Sequence, residues 1–318
     1  MINDYMAVQR DSKMPIRKKM KKLGTLKIGT VETTPVVWED ELIMFEWVRS
    51  DHWGNGGHES RKIGYYQFFD IKTNTPKSAP FAHEHAFGCC YAENGIMYAH
   101  GVRGNGGQTK FVDVFWSKDL KNWESKLALE LPEELKVYNT SVCKGKDDTY
   151  VMAVEVSGPE KLIGKNYTIL FATSKNLLDW ELLPFDTYNY TPDRYSACPS
   201  IRYFDGMYYM VYLEELPCYR CHPYIVRSSD LYSWDIALYN PFMTYDDNDK
   251  LFAFEERFSD EDKERILNAV DLNNSDVDFC EYNGKTYILY SWGNQLGQEY
   301  LAWAQYDGTL EEFLKSFF

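Results

Sequence analysis

Asp276-Val277-Asp278 places two acids one residue apart. On an extended strand alternate side chains share a face, so the spacing predicts that both carboxyls project to one side. Two neighbouring carboxyls can divide the roles of general acid and general base. A surface-facing pair near a turn, or a site for a structural cation, is the other use of the same spacing. Glu84 stands between His83 and His85, where an acid can tune an imidazole for proton transfer. His83 and His85 also share a side, and with His58 or His52 they could hold a divalent ion. The spacing fixes no third ligand, so we assign no metal and read these imidazoles as pocket-lining. Glu32, Asp193 and Glu214 complete the candidate acids. Cys218-Tyr219-Arg220-Cys221-His222 matches the haem-attachment spacing, but that chemistry needs export and a chain that folds around haem, and we assign no cofactor.

Two candidate binding loops carry a Trp-Gly-Asn phrase, Trp53-Gly54-Asn55 and Trp292-Gly293-Asn294, and a third carries Arg103-Gly104-Asn105. Glycine lets backbone approach a ligand closely, and indole gives a stacking face. Repeated hairpin chemistry explains the same residues equally well.

These residues recur at matching places in a repeated unit. Ser117-Lys118-Asp119-Leu120-Lys121-Asn122-Trp123 and Ser174-Lys175-Asn176-Leu177-Leu178-Asp179-Trp180 match, and Ser229-Asp230-Leu231-Tyr232-Ser233-Trp234 reads as a copy one residue shorter; the Trp residues lie 57 and then 54 apart. Each phrase follows a β-rich run. Upstream lie paired Tyr-rich strands joined by polar turns, among them Asp205-Gly206 and Asn283-Gly284, dipeptides that supply the positive φ of tight hairpins. Five units start near Glu32, His83, Tyr138, Tyr195 and Asn274. Evenly spaced units of this length predict an all-β, five-bladed β-propeller, a single domain over residues 24–318 preceded by a basic arm over residues 1–23. The last unit is short of an outer strand, which residues 26–31 would supply. Ser259-Asp260-Glu261-Asp262 followed by residues 263–270 predicts a capped helix inserted before the last blade.

The Ser-x-Asp-Leu-x-x-Trp phrase with Tyr-rich strands resembles the five-bladed glycoside hydrolase superfamily, families 43, 32, 62, 68, 117 and 130, over residues 30–318. The resemblance implies acids around a central depression acting on glycosidic bonds, on the face where inner strands begin. Family 43 typically places a base as Asp before Pro on the first inner strand and an acid in Glu-Gly-Pro on the fourth. Here those positions read Thr33-Thr34-Pro35 and Ala197-Cys198-Pro199, so neither acid carries over. The Trp-Met-Asn-Asp-Pro motif of family 32 is absent too, and the chain reads as a divergent member. Family 117 relatives imply that a histidine can act as the acid. On this reading Asp276, Asp278, Glu84, His85 and Glu32 are the catalytic candidates. Trp53, Asn55, His58, His83, Asn139, Asp193, Arg194, Glu214, Trp292 and Asn294 are the substrate-binding ones.

Composition bounds the partners. With 44% hydrophobic and 16% aromatic residues the chain is globular, and its net charge of -14 disfavours nucleic acid. No apolar run is long enough to span a bilayer. Basic residues crowd positions 10–22, read as a solvated arm or as one that packs on an acidic subunit of a homo-oligomer. The seven cysteines and the lack of an apolar stretch after the basic residues are read as those of a reduced, cytoplasmic protein. The function read from the sequence is cleavage of a terminal sugar from an oligosaccharide by paired carboxylates. The alternatives are a non-catalytic carbohydrate-binding propeller, a phosphorylase whose phosphate pocket would need Arg49, Arg61, Arg103 and Arg194, or a structural propeller.

Overall fold

The computed structural model describes residues 18–49, 64–104, 108–218, 220–294 and 299–318. The first described strand, β1 (Lys21–Ile28), does not pair with its sequence neighbours and joins the end of the chain instead. One antiparallel sheet then runs in chain order through β2 (Thr34–Trp38), β3 (Glu41–Val48), β4 (Gly64–Asp70), β5 (Phe81–Glu93), β6 (Ile96–Arg103), β7 (Phe111–Ser117) and β8 (Glu124–Glu130). A second holds β9 (Lys136–Lys144), β10 (Tyr150–Ser157), β11 (Thr168–Ser174) and β12 (Glu181–Leu182), with β13 (Asn189–Tyr190) also on β11. The third begins with β14 (Ala197–Phe204), β15 (Met207–Leu216) and β16 (Arg220–Ser228), with β17 (Asp235–Ile236) on β16. A parallel pairing of Cys221 with Asn273 joins β16 to β18 (Asn273–Tyr282), and β19 (Lys285–Gly293), β20 (Glu299–Tyr306) and β1 follow.

β2, β5, β9, β14 and β18 pack against one another: β2 beside β5, β5 beside β9, β9 beside β14, β14 beside β18, and β18 beside β2. β5 serves two units. Phe81 pairs with Tyr66 of β4, and from His85 onward the strand pairs with β6. β1 lies antiparallel on β20, so the segment expected to complete the last unit does so, but it spans Lys21–Ile28. Lys21, Lys22 and Leu23, assigned to the arm from the sequence, therefore open a strand. The Lys22 ammonium donates to the Thr244 carbonyl, Asp249 and the Asn274 side chain.

The repeated phrase is a built turn. The Ser117 hydroxyl donates to Asp119 at 3.0 Å, and Asp119 accepts the Lys121 and Asn122 amides. Ser174 with Asn176 and Ser228 with Asp230 repeat this. The third copy therefore starts at Ser228, not Ser229, and has the full length. Leu120, Leu177 and Leu231 all sit at φ 57 to 66° and are buried. Each following Trp packs on the unit before it: Trp123 stacks on Phe81 at 3.8 Å, Trp180 meets His100 edge-on, and Trp234 stacks on Phe171. Asp205-Gly206 and Asn283-Gly284 take the positive φ angles expected of their turns.

α1 (Glu160–Ile163) is a single turn. α2 (Asp260–Leu267) carries the expected cap, Ser259 and Asp262 each closing on the other's backbone amide, and ends at Leu267, before residue 270. α3 (Leu310–Lys315) buries Leu310, Phe313 and Leu314.

Candidate active site

The inner strands meet around a depression lined by Glu32, Thr33 and Thr34 of the first unit, Gly88 of the second, Asn139 and Thr140 of the third, Cys198 and Pro199 of the fourth, and Asp276, Val277 and Asp278 of the last. What turns these residues inward is a repeated irregularity. The β5 pairing slips between Ala86 and Gly88, the β14 pairing between Ala197 and Ser200, and the β18 pairing between Ser275 and Asp278. Phe87, Cys198 and Asp276, in those three bulges, have φ of 40, 50 and 48°, and Glu32, ahead of β2, has φ 56°. A bulge adds a residue and re-aims the strand, and non-glycine residues with positive φ often mark functional sites. The Tyr66 phenol holds the second-unit bulge by donating to the Ala86 and Phe87 carbonyls. A Cβ at Gly101 would lie 2.1 Å from that oxygen.

The two aspartates line the same depression but keep different partners. Strict alternation would put both on one side, but Asp276 leaves the strand conformation. It accepts from Ser275 Oγ at 2.7 Å and lies beside the Cys198 thiol. Asp278 is taken up in a buried ion pair: Arg202 Nη2 donates to it at 2.6 Å, Ser200 Oγ at 2.7 Å and its neighbour's amide at 2.9 Å. Asp278 thus ties the last unit to the fourth while lining the depression. Glu32 lines the depression, as expected.

The second-unit candidates are not among the residues that line it. Glu84 is exposed, its carbonyl accepting from the Gly104 amide, and His83 rests on the Tyr65 ring. The acid that engages His85 is Asp113, with Nε2 2.9 Å from its carboxylate, and Arg103 grips the same carboxylate through two nitrogens at 2.6 and 2.7 Å. His85 Nδ1 faces the His83 carbonyl at 3.0 Å. Both ring nitrogens therefore have a polar partner. Against its burial, the hydrogen bonds from His85 and Arg103 hold the Asp113 carboxyl below the usual carboxylate range. Neither Glu84 nor His85 lines the depression, and the expected tuning of the histidine by Glu84 gives way to Asp113, brought in from β7.

Other expected binding residues divide. Asn139 lines the wall. Trp292 does not present a stacking face: it is fully buried, stacks on Tyr300, and donates to Thr25 Oγ1. Arg194 reaches Tyr212 and Glu214 in the fourth unit, where Tyr212 donates to Glu214 at 3.0 Å, and Asp193 is exposed. Asn294 follows β19. Trp53, Asn55, His58, His52, Arg61, Asn105 and Gln295 lie outside the described residues. Among the described arginines, Arg103 and Arg194 are each matched to an acid and Arg49 lies over Trp47. No arginine is among the lining residues, so the described structure assembles no phosphate pocket there.

Two features had no sequence signal. Phe87, Tyr138, Tyr167 and Tyr195 form a chain of rings with centroids 5.8, 5.1 and 5.5 Å apart, running from the second unit to the fourth. Glu155, buried on β10 behind the wall, accepts from Asn139 Nδ2 at 3.0 Å and the Cys198 amide at 2.9 Å. Burial holds its carboxyl up at about 7, against those hydrogen bonds. It reads in sequence as one apolar-strand residue among several. At the other end of the same inner strands lies a larger cavity whose lining includes Thr34, Tyr91, Arg202 and Glu281. Arg202 is already paired and Glu281 accepts the Leu310 amide.

No family model and no curated protein matches the sequence. Solved structures do match. A protein described only as a glycoside hydrolase aligns at TM-score 0.58 and 15% identity over 96% of this chain and 95% of its own. A family-43 enzyme from Xanthomonas citri, complexed with xylose, aligns at 0.55 and 11% over 96% and 93%. An alpha-L-arabinofuranosidase from Clostridium thermocellum aligns at 0.51 and 12% over 82% and 81%. The fold is therefore that of family-43 glycoside hydrolases, as the repeated phrase suggested, at an identity that makes this chain a divergent example of it.

Proposed function

We propose that the protein is a five-bladed β-propeller glycosidase that removes a terminal sugar from an oligosaccharide at the depression, with Asp276 and Glu32 as its paired carboxyls. The observation that carries this is the meeting of those two acids at one depression, ringed by the strands that open each unit, in a fold shared with an arabinofuranosidase and a xylose-bound enzyme. One carboxylic acid protonates the glycosidic oxygen while the other carboxylate acts as base or nucleophile. Asn139, in the wall, offers a sugar hydroxyl its side-chain amide. The mutual packing of the five inner strands and the seat of β1 on β20 support five closed blades. Seven unbridged cysteines fit a reducing, cytoplasmic setting.

The test is release of monosaccharide from aryl glycosides and oligosaccharides by the native protein, Asp276→Asn and Glu32→Gln. The expected result is turnover that falls by roughly 100-fold or more in each variant. Equal rates in all three proteins would sink the assignment. A second reading, sugar binding without cleavage, is favoured by Thr34, Asn139 and Cys198 in the wall, none of which can serve as a carboxylic acid. Binding of an oligosaccharide by calorimetry with no product would select it.

A further inference from the structure

We propose that Glu155 is the positioning residue of the depression: its carboxyl ties the third and fourth walls together, and its gain or loss of a proton changes how those walls are held. This rests on reading the depression as the ligand site. The geometry is specific. Glu155 lies where the β10–β9 pairing slips between Val154 and Val156, so β9 sends an extra residue toward the axis opposite it. A single oxygen, Oε2, accepts both the Asn139 side-chain amide and the Cys198 backbone amide. Cys198 is the bulge residue of the fourth unit, held at φ 50°. The two groups that Glu155 holds are thus the lining residues of two separate units, and Glu155 itself stays buried behind them.

Other ionisable groups converge on the same place. Asp276, from β18, opposes a charge on Glu155 and touches the Cys198 thiol. Tyr195, ahead of β14, feels both Glu155 and Asp276, and Glu32, ahead of β2, acts on the same thiol. Tyr138 on β9 and Tyr167 before β11 stand on the flanking strands. A proton on Glu155 relieves the repulsion from Asp276. Its loss strengthens both accepted hydrogen bonds and draws Asn139 and the Cys198 backbone toward β10. Glu155 touches no substrate on this account. It acts through the walls, and the exchange falls near neutral pH because burial and Asp276 hold the carboxyl at about 7.

The Cys198 amide proton reports this directly, since it is donated to Glu155. Its NMR shift in the full chain, followed from about pH 5 to about pH 9, is expected to pass through an inflection near 7. The inflection should vanish in Glu155→Gln and move to lower pH in Asp276→Asn, where the like charge is gone. No inflection in the native protein, or one unmoved by either variant, overturns the proposal. On aryl glycosides the native kcat/KM should show a limb at the same pH that Glu155→Gln removes, and a limb that survives the substitution also overturns it. If no glycoside is turned over, the glycosidase reading fails while the amide titration still decides the role of Glu155; should Glu155→Gln not fold, Asp276→Asn decides it.

Discussion

Replacing Asp276 by Asn keeps the size of the side chain and an oxygen for the Ser275 hydroxyl, while removing the charge beside Cys198. The expected outcome is lost turnover with an unchanged denaturant midpoint, or a slightly raised one, because like charges at Glu155 and Asp276 no longer oppose each other. Asp278→Asn should behave in the opposite way. It leaves the Arg202 guanidinium, only 18% exposed in its side chain, without its counter-charge. Breaking a buried pair from one side costs about 3 kcal/mol or more. The denaturant midpoint should fall accordingly, and activity per folded molecule should change far less than in Asp276→Asn. Equal stability losses in the two variants would contradict this division. The sequence placed both acids on an inner strand, where they line the depression. It could not tell their partners apart, because Asp276 takes a left-handed backbone conformation, and aspartate's preference for that conformation is too weak to announce it at one position. Glu155 was unreadable for a related reason: its role depends on which groups two other units bring to it.

The repeated turn is the element that the sequence described best. Its Ser, Asp or Asn, Leu and Trp each have a job in the structure: the hydroxyl and carboxyl or amide close the turn, the buried Leu takes positive φ, and the indole packs on the preceding unit. Even the copy that looked short has the full pattern once Ser228 is taken as its first residue. Ser174→Ala removes a hydroxyl that donates to Asn176 and accepts the Asn176 and Leu177 amides. Leaving those groups without a partner should destabilise by roughly 1–3 kcal/mol, read as a lower urea midpoint with the same dependence on urea. An unchanged midpoint would mean that the turn is held by the Trp packing alone. The second-unit candidates were harder to read, because His85 on β5 finds its acid on β7, at Asp113. Neighbours in sequence, such as Glu84, point elsewhere.

Over the whole molecule, several buried carboxyls bear on how stability depends on pH. Burial raises Glu155 to about 7, and it also raises Glu46 despite its partner Lys27 and Asp271 beside Asp249. For such groups the folded state binds more protons than the unfolded chain between the unfolded and folded values. Their stabilising contribution is complete below the unfolded value, near 4.5 for Glu155, and is lost as pH rises through about 7. Asp70 and Asp113 are shifted downward, and what they contribute is present at neutral pH and lost in acid. Stability should therefore peak in the mildly acidic range and decline toward alkaline pH. For Glu155 the gap between 4.5 and about 7 corresponds to ~3 kcal/mol at most between the two limits. Urea unfolding of the native protein from about pH 5 to about pH 9 should show this decline, and Glu155→Gln should flatten it, since a glutamine has no charge to bury. An equally steep decline in the variant would place the linkage at Asp271 and Glu46, in the strands and loops that join the first unit to the last, and leave Glu155 with its geometric role alone.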